Sequence, residues 1–160
     1  MQISYLADRP ELASGLIPGL LEHWRPIVPE QTWASRQQVF QSHMNRDALP
    51  IAWVAHDGDH VLGTAALRVR DLDGRDELTP WLGGVFVLRP FRRRGIAAAL
   101  CAVVEAKARA LGFARLHLFR PDQERLYARL GWRPLERLSW RGFESVLMIK
   151  DLPTSHPGLP

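Results

Sequence analysis

Residues 85–100, VFVLRPFRRRGIAAAL, constrain this chain more than any other stretch. They open as a β-branched and aromatic run, which favours a strand. Pro90 ends that strand, because proline has no N–H to give to a ladder. Arg92, Arg93, Arg94 and Gly95 follow. The apolar spacing then changes to Ile96, Leu100, Val103, Val104 and Leu111 with alanines between, which is helical. The stretch therefore reads as a strand, a tight basic turn and a helix N-terminus. Such a terminus leaves N–H groups without partners and carries partial positive charge. An anion, most naturally a phosphate, fits there. Gly95 has no Cβ and lets the backbone approach that anion closely.

The chain has 160 residues, the size of one domain, and at 46% hydrophobic it can bury a substantial core. The net charge is +4, and only Lys107 and Lys150 among the 21 basic residues are lysine. This balance suits a polyanionic ligand. It argues less for nucleic acid, because the basic residues are spread out and the aromatics do not interleave with them. Cys101 is the one cysteine, so no internal disulfide forms, and its place in the apolar helix reads as a small buried side chain. The first residues show no charged and then apolar leader, and no run approaches the length of a membrane span. A cytoplasmic protein that binds neither membrane nor nucleic acid is the expectation. Residues 1–152 read as one domain, and the proline-rich residues 153–160 as a disordered tail.

Gln2 to Leu6 reads as a first strand. A helix follows from Asp8 with Leu12, Leu16, Leu20 and Trp24 four apart, kinked or split by Gly15, Pro18 and Gly19. Thr32 or Ser35 can cap a second helix, running to about Arg46. Residues 50–56 and 60–69 read as a hairpin about Asp57-Gly58-Asp59, with Gly63 a candidate bulge. A polar loop precedes a fourth strand, residues 80–88. The main helix runs from about Arg94 to Leu111, with Gly112 as its left-handed cap. Residues 115–119 form a fifth strand. Asp122 can cap a short helix ending at Gly131, and two final strands meet at Arg141-Gly142.

Two motifs in this order resemble the GNAT superfamily of N-acetyltransferases. The first is V-x-P-x-x-[QR]-x-x-G-x-[GA]. Val87 and the whole of Arg92-Arg93-Arg94-Gly95-Ile96-Ala97 match it, while Arg89 stands at the proline position and Pro90 comes one residue later. The second is Y-x-x-x-G-[FWY], matched by Tyr127, Gly131 and Trp132. The resemblance implies an α/β (α+β) GNAT fold. Its mixed, mostly antiparallel sheet of six to seven strands splays between the fourth and fifth and is flanked by about four helices.

The same resemblance implies acetyl-CoA as co-substrate and no metal. Arg92, Arg93, Arg94, Gly95, Ile96 and Ala97 would hold the pyrophosphate, and Val85, Phe86 and Val87 would bond the pantetheine arm by strand addition. Tyr127 would act as general acid toward the leaving thiolate, since a phenol of pKa about 10 stays protonated at neutral pH. Family members often carry an asparagine two turns before that tyrosine. Here Arg120 and Pro121 stand in that neighbourhood, and the polar role passes to Asp122 or Gln123, or is absent.

The implied reaction is direct attack of a primary amine, on a small molecule or a peptide terminus, upon the thioester. The amine must lose a proton. Glu77, Asp76 and His117 are candidate bases, each set against a plain structural role. Glu22, His23, Trp24, Glu30, Trp33 and Trp140 are candidate acceptor contacts, each set against packing. A non-catalytic acyl-CoA sensor is the alternative reading, and the sequence leaves a homodimer open.

Overall fold

A computed structural model describes residues 1–153. The expected tail therefore lies outside the described residues, apart from Pro153. Seven strands form one sheet: β1 (Gln2–Tyr5), β2 (Ile51–Asp57), β3 (His60–Arg68), β4 (Trp81–Val87), β5 (Arg115–Arg120), β6 (Arg133–Trp140) and β7 (Phe143–Asp151). Their spatial order is β1-β2-β3-β4-β5-β7-β6. Every neighbouring pair is antiparallel except β4 and β5. Four α-helices accompany them: α1 (Ile17–Trp24), α2 (Trp33–Ser42), α3 (Ile96–Ala110) and α4 (Glu124–Arg129).

The middle of the sheet is buried on both faces, which explains the unbroken apolar run of β2. Ile51, Trp53 and Ala55 face one core with α3, and Ala52 and Val54 face a second with α1 and α2. Gly19 lets α1 lie close to that second face. A Cβ there would meet Leu88 at 2.8 Å and Phe86 at 3.2 Å.

The first helical region is split, as its glycines and prolines predict. Two 3-10 turns, Leu6–Asp8 and Pro10–Gly15, precede α1, and neither has a side-chain cap. Thr32 caps α2 by accepting from the Ser35 N–H at 3.1 Å, and Ser35 returns the favour by accepting from the Thr32 N–H at 2.9 Å. The helix stops at Ser42, short of the expected Arg46, where Asn45 donates to the carbonyls of Ser42 and Pro50.

The start of α4 also departs from the expected cap. Asp122 does not cap it. Gln123 sits at the cap with φ 65° and no side-chain bond, while Asp122 turns to Arg120 at 3.1 Å. The end of α4 is held from the sheet instead. Lys150 on β7 donates to the Leu130 carbonyl at 2.6 Å and pairs with Glu105 of α3 at 3.0 Å.

Two irregularities shape the centre. One extra residue of β3 bulges between Val61 and Gly63, beside the expected glycine. One extra residue of β4 bulges at Gly84-Val85 opposite Ala65, with Gly84 at φ +59°. Beyond the bulge β4 and β5 part. They pair only at Trp81 and His117, near their N-terminal ends.

Candidate active site

The parting of β4 and β5 leaves main-chain groups of β4 without a strand partner. Phe86 turns its carbonyl toward β3, where a Cβ on Gly63 would meet it at 2.7 Å. The Leu88 N–H likewise donates to Leu62. Alternation along the strand aims Val85 and Val87 the other way, into the gap. Two arginines reach their carbonyls: Arg120 donates to Val85 at 3.0 Å and Arg92 to Val87 at 2.9 Å.

One cleft, of about 490 Å³, runs from this gap to the start of α3. Arg92, Arg93, Gly95, Ile96 and Ala97 line it, together with Gln123 of the α4 cap. Arg93 at φ 65° and Gly95 at φ +77° put two left-handed residues just ahead of the helix. Left-handed residues of this kind are among the backbone conformations from which anion-binding concavities are built. Nothing lies within 4 Å of a Cβ built on Gly95, so the space beside it is open. The three arginines diverge. Arg93 lines the cleft, Arg92 folds back over the Phe86 ring at 5.6 Å, and Arg94 lies over Phe91 at 5.7 Å. Arg129, on the last turn of α4, adds a cation that sequence reasoning missed. Its one signal is helical spacing, since it follows Leu126 by three residues on the face that borders the cleft.

A second cleft, of about 270 Å³, opens on the far side of the gap. Trp24 and Trp140 line it and meet edge to face at 6.5 Å. Its wall also carries Gln31, Arg36, Arg68 and Asp71, none singled out by sequence. Arg68 lies against the β4 bulge. A Cβ on Gly84 would meet its Nη2 at 2.8 Å, and one on Gly83 its Nη1 at 2.9 Å, so the two glycines make room for a guanidinium. Arg68 donates to Asp71 at 2.8 Å and to His43 at 2.9 Å. Burial first, and Arg68 next, push the His43 pKa down to about 4, so its ring stays neutral and accepts. Arg141, in the β6–β7 turn, pairs with Glu30 and donates to the Ile27 carbonyl at 3.2 Å, fastening the hairpin to the α1–α2 connection.

The two clefts share Val85, Arg120 and Tyr127. Tyr127 is 2% exposed, and its ring packs edge to face on Trp132 at 6.3 Å. Burial raises its pKa to about 12, against the lowering effect of the Arg120 charge. Its hydroxyl has no hydrogen-bond partner among the described residues, yet it is not one of the sealed polar atoms, so it is left to the clefts.

The remaining candidates fall elsewhere. Glu77 pairs with Arg75 and Asp76 with Arg70, both on the surface loop. His117 is buried and bonded to the Pro80 carbonyl at 3.0 Å. None of the three lines either cleft. Glu22, Glu30 and Trp33 are exposed and lie outside both linings, whereas His23 borders the first cleft, 5.5 Å from the Phe86 ring. Cys101 is buried in the core with its thiol pKa pushed up to about 12, so it is no nucleophile.

The model of the acetyltransferase (GNAT) family matches residues 17–132, which take in both motifs and every residue lining the first cleft. The chain belongs to the GNAT acetyltransferase family. Mouse (Mus musculus) N-alpha-acetyltransferase 80 is 34% identical to this GNAT chain over 131 residues, 78% of the chain. The match spans 39% of that relative's length. An aminoglycoside 6'-acetyltransferase type Ii structure superposes with TM-score 0.73 at 21% identity, covering 98% of this GNAT chain and 100% of the other. A second aminoglycoside 6'-N-acetyltransferase, complexed with coenzyme A, gives TM-score 0.70 at 18% identity over 98% and 99%. These likenesses establish the GNAT fold, and the seven-stranded sheet with its parallel β4–β5 contact agrees with them.

Proposed function

We propose that this domain, residues 1–152, transfers an acetyl group from acetyl-CoA to a primary amine by direct attack, in the cytoplasm and without a metal. The observation that carries the reading is the meeting of two clefts at Val85, Arg120 and Tyr127, one of them ending at the basic turn before α3. In this reading the N–H groups from Arg93 to Ala97 cradle the pyrophosphate, with Arg93 and Arg129 offsetting its charge. The free edge of β4 at Val85 and Val87 accepts the pantetheine amides as an added strand would. Either arginine side chain now on those carbonyls can yield its place, since each has a second contact: Asp122 for Arg120 and the Phe86 ring for Arg92. The second cleft takes the amine.

Tyr127 holds its proton at neutral pH because burial raises its pKa. It gives a hydrogen bond to the leaving sulfur, and the adjacent Arg120 charge lowers the cost of releasing the proton. The amine reaches through from the second cleft to the thioester, and His23 on the wall of the first cleft accepts its proton. Burial lowers its pKa first, and Arg120, Arg92 and Arg89 lower it further against Asp122, so the imidazole is neutral at pH 7.

The test is a panel of small-molecule and peptide amines incubated with acetyl-CoA, following free thiol and acetylated product together. Matched release of thiol and product is the expected result. Binding of acetyl-CoA with no thiol release from any amine would overturn transfer and leave an acyl-CoA sensor.

A further inference from the structure

The second cleft carries a charge that the protein does not balance. Four arginines line it, Arg36, Arg68, Arg120 and Arg141, against one carboxylate, Asp71. Three of the four are satisfied. Arg68 holds Asp71, Arg120 holds Asp122, and Arg141 holds Glu30. Arg36 has no carboxylate within reach among the described residues. It lies over the Phe40 ring at 5.5 Å; its Nε is sealed from solvent, whereas its two Nη atoms are not sealed and have no hydrogen-bond partner among the described residues. Burial and the charge of Arg68 lower its pKa to about 10, which still leaves it cationic at pH 7.

A guanidinium on a cleft wall with no carboxylate partner marks a contact that an anionic ligand can supply. Arg36 lacks an anion. The planar guanidinium suits a carboxylate.

We infer, on the transferase reading above, that the acceptor is a primary amine carrying a carboxylate, bound with that carboxylate on Arg36. A free amino acid and a peptide with an acidic amino terminus share this chemistry. A polycation is disfavoured, because it would bring positive charge to a cleft already in excess.

The test compares matched acceptors on the intact protein: glutamate against glutamine, a tripeptide beginning with glutamate against its glutamine counterpart, and putrescine. The two scaffolds separate the free amino acid from the peptide. In whichever scaffold is acetylated, the carboxylate form should have a kcat/KM at least tenfold higher than the amide, carried mainly by KM. Arg36→Gln should bring that ratio close to one. Calorimetric binding of the same acceptors provides a readout that needs no turnover, and acetyl-CoA binding checks that the variant is folded. Equal or better turnover of the amides or of putrescine overturns this inference and leaves the transferase reading intact. Carboxylate-selective binding without thiol release supports the inference and overturns transfer. Neither binding nor release overturns both.

Discussion

The Arg120 guanidinium on β5 donates to the Val85 carbonyl on β4 at 3.0 Å, across the gap where the two strands have stopped pairing. A side chain thus spans an opening that the ladder does not close. Arg120 also holds Asp122 at 3.1 Å and lies over Trp24 at 5.5 Å, so strand, the turn before α4 and α1 converge on one cation. That cation borders both clefts and lies close enough to Tyr127 to lower its pKa.

Tyr127→Phe removes a hydroxyl that no described residue bonds. Stability should therefore change by less than about 0.5 kcal/mol in urea unfolding, since no partner is orphaned. Acetyl-CoA affinity should stay within about twofold, and kcat should fall by about 10²-fold or more, the range for lost proton transfer. With a pKa of about 12, the wild-type phenol should cause no loss of kcat through pH 9. Turnover equal to wild type would take Tyr127 out of the mechanism.

Gly95→Ala separates backbone cost from ligand cost. The added Cβ meets nothing within 4 Å, so the penalty to folding is that of an L residue at φ +77°, about 1–2 kcal/mol. If the phosphate cradle is correct, acetyl-CoA affinity should fall at least tenfold in calorimetry. An unchanged affinity would place the diphosphate elsewhere.

Gly84→Ala combines two faults. Its φ is +59°, and the Cβ would press on Arg68 Nη2 at 2.8 Å. We expect a loss of about 2 kcal/mol or more in thermal unfolding. Displacing Arg68 from Asp71 should also raise the acceptor KM while leaving acetyl-CoA affinity nearly unchanged. The opposite pattern would detach Arg68 from acceptor binding.

His43 gives a dependence on pH. Its pKa is about 4 when folded, against an ordinary histidine value near 6.5 when unfolded. Below pH 6.5 the unfolded chain binds the extra proton, so the stability is complete above 6.5 and is lost progressively as pH falls to about 4. The full loss is about 3 kcal/mol. Urea midpoints at pH 7 and pH 5 should drop more for wild type than for His43→Gln. Parallel drops would show that His43 is not the group responsible.

Much of this was legible because the signals are local. Pro90 and Gly95 mark the strand end and the helix start through their own dihedral limits, and the α3 spacing follows from the Ile96–Leu100–Val104 stripe. Gly131 and Gly112 end their helices in left-handed conformations, at φ +95° and φ +92°. Local reasoning failed where a distant partner competed. Asp122 is a good cap by residue type, yet Arg120 takes its carboxylate and Gln123 occupies the cap position. Arg94 matches the motif as well as Arg93 does, but stacks on Phe91 and stays out of the cleft lining.

The sequence alone determined the order of elements, the basic turn before α3 and the tyrosine of the second motif, because each depends on residues near one another in the chain. Only the tertiary structure decided which groups meet. Val85 and Arg120 are 35 residues apart, so their contact arises from strand order and the β4 bulge. The unbalanced charge of Arg36 is likewise invisible in a list of residues, since pairing depends on distance and burial, which folding alone sets.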